Sequence, residues 1–298
     1  MRRLALGLAL LAVPALAAAQ IPRVDVRWEP DRPVQGRLFE VVVNADMAES
    51  LETLGATLAG QPLHFRERRP GEYVALAAAP IDASGELRMP VTARWLDGAT
   101  DSLEMAVPIS AGEYRLERLS VAPRYGTPPD SALQARMRRE SERAMAVSER
   151  SHDTPRLWAE VVHPRPTRVT SGFGHGREFN GQVTSRHMGT DFAGGVGEPV
   201  RAAARGVVAL VDEFHLGGNV VSIDHGAGLV TAYLHLSEQL VAPGDTVAAG
   251  DLIGRVGATG RVTGPHLHWI VRYGTVSVDP LSLLEVAEPA RTGTEMER

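Results

Sequence analysis

The sequence predicts a mainly β chain: an N-terminal Ig-like β-sandwich, a helical linker and a C-terminal antiparallel β domain. Three observations predict it. Short runs with period-two alternation fill Val24 to Ile109, which is strand patterning. A stretch free of Gly and Pro, up to Arg150, spaces Leu133, Met137, Ala144 and Val147 near helical periodicity. From about Arg168 to Leu284 the chain becomes rich in Gly and Val, in short apolar runs without a long helical pattern. At 298 residues the length suits about two domains.

At the start, Arg2 and Arg3 precede an apolar run, Leu4 to Ala15, interrupted by Pro14. Ala17-Ala18-Ala19 then offers a small-residue cleavage site. This is the pattern of a secretory signal peptide over residues 1–19, so the chain is expected to be exported, periplasmic or secreted. The run is shorter than the ~20 apolar residues of a membrane helix. No integral membrane segment is therefore expected after signal cleavage. The chain has no cysteine, so core packing without disulfides must hold it.

Residues 20–112 are expected to form the sandwich. Phe39, Val41 and Val43 share one face of a strand, and Leu87, Met89, Val91, Ala93 and Trp95 share another. Asp97-Gly98 is a hairpin turn, after which Leu103, Met105, Val107 and Ile109 resume the alternation. His64, the single histidine here, is expected at a surface or edge. Residues 113–165 read as a linker with a solvated helix over about 127–150, Thr127 being its cap and Pro128 lying in its first turn. Residues 166–285 form the second β domain, with strands at Gly206–Val211, Asn219–Asp224 and Leu229–Leu234. Residues 286–298 are polar and Pro-interrupted, and are expected to be disordered.

All 31 basic residues are Arg, and the formal charge is −5. A mildly acidic chain without a basic run has no electrostatic footprint for nucleic acid, so none is expected as a partner.

The chemistry concentrates in the second domain, which with its border holds eight of the ten histidines. His187 and Asp191 stand four apart, and His266 and His268 two apart. If the latter pair lies on a strand, both rings point to one face. Two imidazoles and one carboxylate would hold a zinc ion in three positions and leave the fourth for water. Hydrolysis also needs proton-transfer groups, and unligated imidazoles suit that task near neutral pH. His235, at a strand end between the two pairs, and His266, beside His268, are the candidates.

His187-x-x-x-Asp191, Tyr233-x-His235-Leu236 and Gly264-Pro265-His266-Leu267-His268 resemble, in order, the signature of lysostaphin and LytM-type zinc metallopeptidases, peptidase family M23. Ser171-Gly172-Phe173-Gly174, Ile223-Asp224-His225-Gly226 and Val256-Gly257-Ala258-Thr259-Gly260 agree with it. The resemblance spans about 120 residues. It implies an antiparallel β groove with one Zn2+ at its floor and a peptidoglycan peptide as substrate. It implies His187, Asp191 and His268 as ligands and His235 and His266 as catalytic residues, without saying which is the base. Family members often carry Arg soon after Phe-Gly; here His175-Gly176 intervenes before Arg177. Arg177 and His215 are the candidate substrate-binding residues.

Two other classes share parts of this pattern. LytM-like domains that have lost ligands serve as regulators of other cell-wall hydrolases, but this chain keeps every ligand. An enzyme held latent until a regulatory protein partner acts stays compatible with the motifs. A biotinyl or lipoyl carrier needs a modifiable Lys, and the chain has none. His225 reads as structural, and Asp245 and Asp251 as turn formers.

Overall fold

The computed structural model describes residues 23–287. The expected signal peptide lies outside those residues, as does the expected tail beyond Ala287. Val286 and Ala287, expected in that tail, instead complete a helix, Pro280–Ala287. The helix is anchored across the molecule: Leu38 N–H donates to Ser282 Oγ at 3.0 Å, and Arg37 pairs with Asp279 at 2.8 Å. Among the described residues no helix is long and apolar enough to cross a membrane.

Two four-stranded antiparallel sheets make the first unit. One runs Val24–Glu29, Leu38–Ala45, Glu72–Ala78, Arg66–Arg69; the other runs Gln61–Pro62, Leu51–Leu58, Glu86–Trp95, Thr100–Pro108. Met89, Val91, Ala93 and Trp95 are buried while the residues between them are exposed, as strand alternation demands. Gly98 takes φ +82°, the left-handed conformation that this turn requires and that Gly adopts without strain. His64 departs from expectation. It is half-buried, with Nε2 2.8 Å from His152 Nδ1 and the two rings stacked 5.1 Å apart. The first unit presses on the second there, and Tyr273 OH donates to Pro62 O at 2.8 Å.

The linker is more structured than expected. Leu116–Leu119 is a strand that pairs in parallel with Gly176–Phe179 of the second domain. The long helix spans Ser131–Arg150, and its cap is Asp130, whose carboxylate accepts Leu133 N–H at 2.8 Å. Thr127 is not the cap. Its hydroxyl donates to Pro123 O at 3.1 Å, and Pro129 disfavours the helical conformation at Pro128, so the helix cannot start there. Nor is the helix solvated all round: Glu140, Val147 and Ser148 are buried against the second domain.

The second domain is an antiparallel sheet in the order Val169–Ser171, Thr190–Ala193, His266–Tyr273, Leu229–Leu236, Gly218–Asp224, Gly206–Phe214, Thr246–Val247. Its two faces divide the labour. Leu267, Trp269 and Val271 point into the core and are fully buried. His266, His268, Ile270 and Arg272 therefore point to the opposite face. The register His268↔Leu234, Ile270↔Ala232, Arg272↔Val230 continues that face onto the next strand. The helix Ser131–Arg150 lies over one part of it: Arg272 reaches Ala144 O at 3.4 Å, and Arg143 pairs with Asp212 at 2.7 Å. A cavity of about 300 Å³ remains between helix and sheet, lined by Met137, Ala144, Phe214, Leu234 and Ile270 among others.

His225 is fixed inside this core. Its Nδ1 is 2.9 Å from Arg205 O and its Nε2 is 2.8 Å from Thr231 Oγ1. Burial pushes its pKa down from 6.5 to about 4. The unfolded chain therefore binds a proton that the folded chain refuses across that interval. The resulting stability is fully present above about pH 6.5 and is lost as pH falls toward 4. The difference corresponds to roughly 3 kcal/mol. Urea unfolding at pH 7.5 and 4.5 should show a smaller acid loss for His225→Gln than for wild type; equal losses would contradict this.

Candidate metal centre

The cluster forms because two local pairs meet through one strand pairing. Thr190–Ala193 lies antiparallel to His266–Tyr273 with Asp191 directly opposite His268, so carboxylate and imidazole share a face. His187 comes from the loop just before. That loop is clamped by Gly174 N–H to His187 O at 2.7 Å and His187 N–H to His175 O at 2.8 Å. Gly189 permits the close approach: a Cβ there would lie 2.5 Å from Trp269 O and 2.7 Å from His268 Cε1.

The donor atoms converge tightly. His187 Nε2 is 3.0 Å from Asp191 Oδ1 and 2.9 Å from His268 Nδ1, which is itself 2.6 Å from Asp191 Oδ1. All three residues are buried. His187 Nδ1 lies 2.7 Å from Gly172 O, an acceptor with no proton, so Nδ1 carries the ring's proton. With Nδ1 so engaged, Nε2 is the ring atom turned toward the Asp191 carboxylate. Three donor atoms packed this closely need a cation or shared protons among them. A second proton on the His268 ring is disfavoured: burial pushes its pKa down to about 4, although Asp191 opposes this. Burial also opposes charge on Asp191, yet the His187 and His268 contacts hold its carboxyl well below the usual range. Two imidazoles and a carboxylate are a donor set that zinc takes, so the residues fit that ion.

The two remaining histidines point at the same centre. His235 Nδ1 is 2.8 Å from Thr259 O, and His266 Nδ1 is 2.8 Å from Gly264 O. Each ring thereby donates Nδ1–H to a backbone carbonyl and leaves Nε2 as an acceptor. His266 Nε2 is 3.6 Å from Asp191 Oδ1, and the His235 and His266 ring centroids are 4.9 Å apart. His235 is buried, which drives its pKa well below the usual value, with repulsion from His268 and His266 adding to this. Its φ of +64° is a left-handed conformation, unusual for a side chain with Cβ and of the kind found at functional sites. The bond from His235 N–H to Gly217 O, 2.8 Å, holds it there.

Arg177 is brought to the centre, but not as a free side chain. Its Nη2 donates to Asp191 Oδ2 at 2.7 Å and to Ser171 Oγ at 2.8 Å, and its Nε donates to Glu117 Oε2 at 3.1 Å. His215 stands elsewhere, at the turn between Gly206–Phe214 and Gly218–Asp224. Its ring packs on Tyr125 at 5.2 Å, and its backbone N–H donates to Glu140 at 2.9 Å. Glu117 escapes the sequence reading altogether. Its Oε1 accepts from Ser171 Oγ at 2.8 Å and from His175 Nδ1 at 2.9 Å. Burial works against its charge, but those partners and Arg177 hold its carboxyl below the usual range. The only hint in the sequence is the short alternation Leu116-Glu117-Arg118-Leu119.

Comparison with known proteins agrees with this geometry. Residues 185–280 match the model of peptidase family M23. The peptidoglycan DD-endopeptidase ShyC of Vibrio cholerae is 45% identical over 104 residues, which are 34% of this chain and 24% of that protein. The DD-carboxypeptidase/endopeptidase Mpg of Neisseria meningitidis serogroup B is 42% identical over 117 residues, covering 39% of this chain and 27% of that one. The chain thus spans about a quarter of the length of these curated relatives. A Pseudomonas aeruginosa crystal structure described as a candidate peptidase M23 superposes with a TM-score of 0.65 at 26% identity, covering 86% of this chain and 96% of that one. That likeness takes in the first unit as well as the second. His187, Asp191, His235, His266 and His268 all fall inside the matched segment, and the chain therefore carries a peptidase family M23 domain.

Proposed function

We propose that the protein is a zinc-dependent endopeptidase that hydrolyses peptide cross-links of peptidoglycan. The observation that carries this reading is the convergence of His187 Nε2, Asp191 Oδ1 and His268 Nδ1, with the His235 and His266 rings beside them. The DD-endopeptidase relatives support the substrate class. His187, Asp191 and His268 hold one zinc ion, which when bound lowers the pKa of a water to roughly 7 and polarises the peptide carbonyl. Arg177 occupies Asp191 Oδ2, so the carboxylate offers one oxygen to the centre. His235 and His266 divide proton transfer between them. One accepts the nucleophile's proton at Nε2, and the other, once protonated, donates to the leaving amine. Their Nδ1–H bonds to Thr259 O and Gly264 O keep both rings in the acceptor tautomer.

The same reading assigns the enzyme to the periplasm, where its substrate lies. One observation favours a latent form as a second reading: the helix Ser131–Arg150 covers part of the sheet face that bears His266 and His268. A regulatory protein partner would then act on that helix. The test is digestion of defined sacculi by the purified chain, with mass spectrometry of the muropeptides. Zinc-loaded protein should open cross-links, protein stripped by a chelator should not, and one equivalent of zinc should restore it. Metal-free protein with full activity would sink the reading.

A further inference from the structure

We propose that Glu117, a residue of the linker strand, is a positioning residue for the metal centre: through Arg177 and Ser171 it fixes the Asp191 carboxylate and the His187 ring. The inference rests on the zinc reading above and extends it beyond the segment that matches the family, residues 185–280.

The geometry begins with the strand pairing. Leu116–Leu119 runs parallel to Gly176–Phe179 with Glu117 opposite Arg177. Gly176 N–H to Arg115 O, 2.8 Å, and Asn180 N–H to Leu119 O, 3.0 Å, fix the register at both ends. Glu117 therefore meets Arg177 on one face of the ribbon. Arg177 has four rotatable bonds, and an arginine free at this position would lose much rotamer entropy on settling against Asp191. Glu117 removes that freedom by taking Nε at 3.1 Å, so that Nη2 is presented to Asp191 Oδ2 at 2.7 Å.

The second arm runs through Ser171. Its Oγ lies within 2.9 Å of both Glu117 oxygens, accepts from Arg177 at 2.8 Å, and is 3.3 Å from His187 Nδ1. One carboxylate thus stands behind two of the three donor residues. Its effect is directional. With Arg177 held on Oδ2, Asp191 keeps Oδ1 for the two imidazoles. If Arg177 swings free, the carboxylate loses the contact that sets its rotation. Coupling of this kind is reciprocal, so metal binding should also tighten the docking of the linker strand.

The experiment uses the full chain as wild type, Glu117→Leu, Glu117→Gln and Arg118→Gln. Arg118 lies on the same strand but makes only an exposed ion pair with Glu178 at 3.4 Å, so it controls for strand docking. Zinc affinity is read by competition with a chromophoric chelator, and folding by circular dichroism on the metal-free proteins. Amide exchange over 115–121 and 176–180 is read with and without zinc. Glu117→Leu should weaken zinc binding on the order of 10–100-fold, the usual effect of losing a partner behind a ligand. The isosteric Glu117→Gln should weaken it less, Arg118→Gln should leave it unchanged, and zinc should slow exchange in wild type. Glu117 variants that fold and bind zinc like wild type overturn the inference alone. So does an equal loss in Arg118→Gln, which would reduce Glu117 to a docking contact. A wild type that binds no zinc overturns the zinc reading itself.

Discussion

His268→Ala should empty the metal centre and lower cross-link cleavage by on the order of 10³-fold or more, since a catalytic zinc contributes several kcal/mol to transition-state stabilisation. The size follows from the geometry. His268 Nδ1 is 2.6 Å from Asp191 Oδ1 and 2.9 Å from His187 Nε2, so its loss opens one whole side of a three-donor cluster. His187 and Asp191 cannot close on a tetrahedral ion by themselves. The fold should survive. His268 lies on the face opposite Trp269 and Val271, and Asp191 retains Arg177 at 2.7 Å. Metal analysis by plasma mass spectrometry and a muropeptide assay on the same sample check both halves. Zinc at one equivalent with wild-type cleavage would remove His268 from the ligand set.

His235→Ala and His266→Ala should behave differently from His268→Ala and alike in kind. Each should keep zinc near one equivalent and lose on the order of 10²–10⁴-fold in kcat, the range of a general acid or base. Neither ring uses its inward Nε2 on a protein partner at hydrogen-bond distance, so removing it leaves the donor triangle intact. The two should combine non-additively, because groups that act on one proton path fail together. The double variant is therefore expected to be far less impaired than the product of the two singles. A single variant that sheds its zinc would move that histidine into the ligand set, and a single variant with an unchanged rate would take it out of the mechanism.

Much of the centre could be read in the chain because its donors come in near neighbours. A spacing of four places His187 and Asp191 on one loop and strand start, and a spacing of two places His266 and His268 on one strand face. What the spacing could not reveal is that Asp191 and His268 are cross-strand partners, since pairing is chosen by the whole sheet. The sandwich strands were legible for the same local reason, as Glu86–Trp95 demonstrates. Most of the misses are long-range. Glu117 and Arg177 meet through a parallel pairing between segments 60 residues apart. His64 gains its burial from His152, 88 residues on. The long helix carries a buried stripe at Glu140, Val147 and Ser148 that looks solvated until the sheet beneath it is known. Thr127 is the local exception: Pro129 disfavours the helical conformation at Pro128, and the helix starts only at Ser131, capped by Asp130.

The parallel strand Leu116–Leu119 has a consequence for what counts as a module here. The family match begins at residue 185, yet the ribbon that begins with Gly176–Phe179 takes its third strand from well upstream of it. A fragment cut at residue 185 would lose that ribbon and also Val169–Ser171, baring the Thr190–Ala193 edge of the main sheet. An open strand edge is a template for pairing with another molecule. The unit inherited as a sequence and the unit that closes its own edges are thus different lengths of chain, and the shorter one would be prone to self-association.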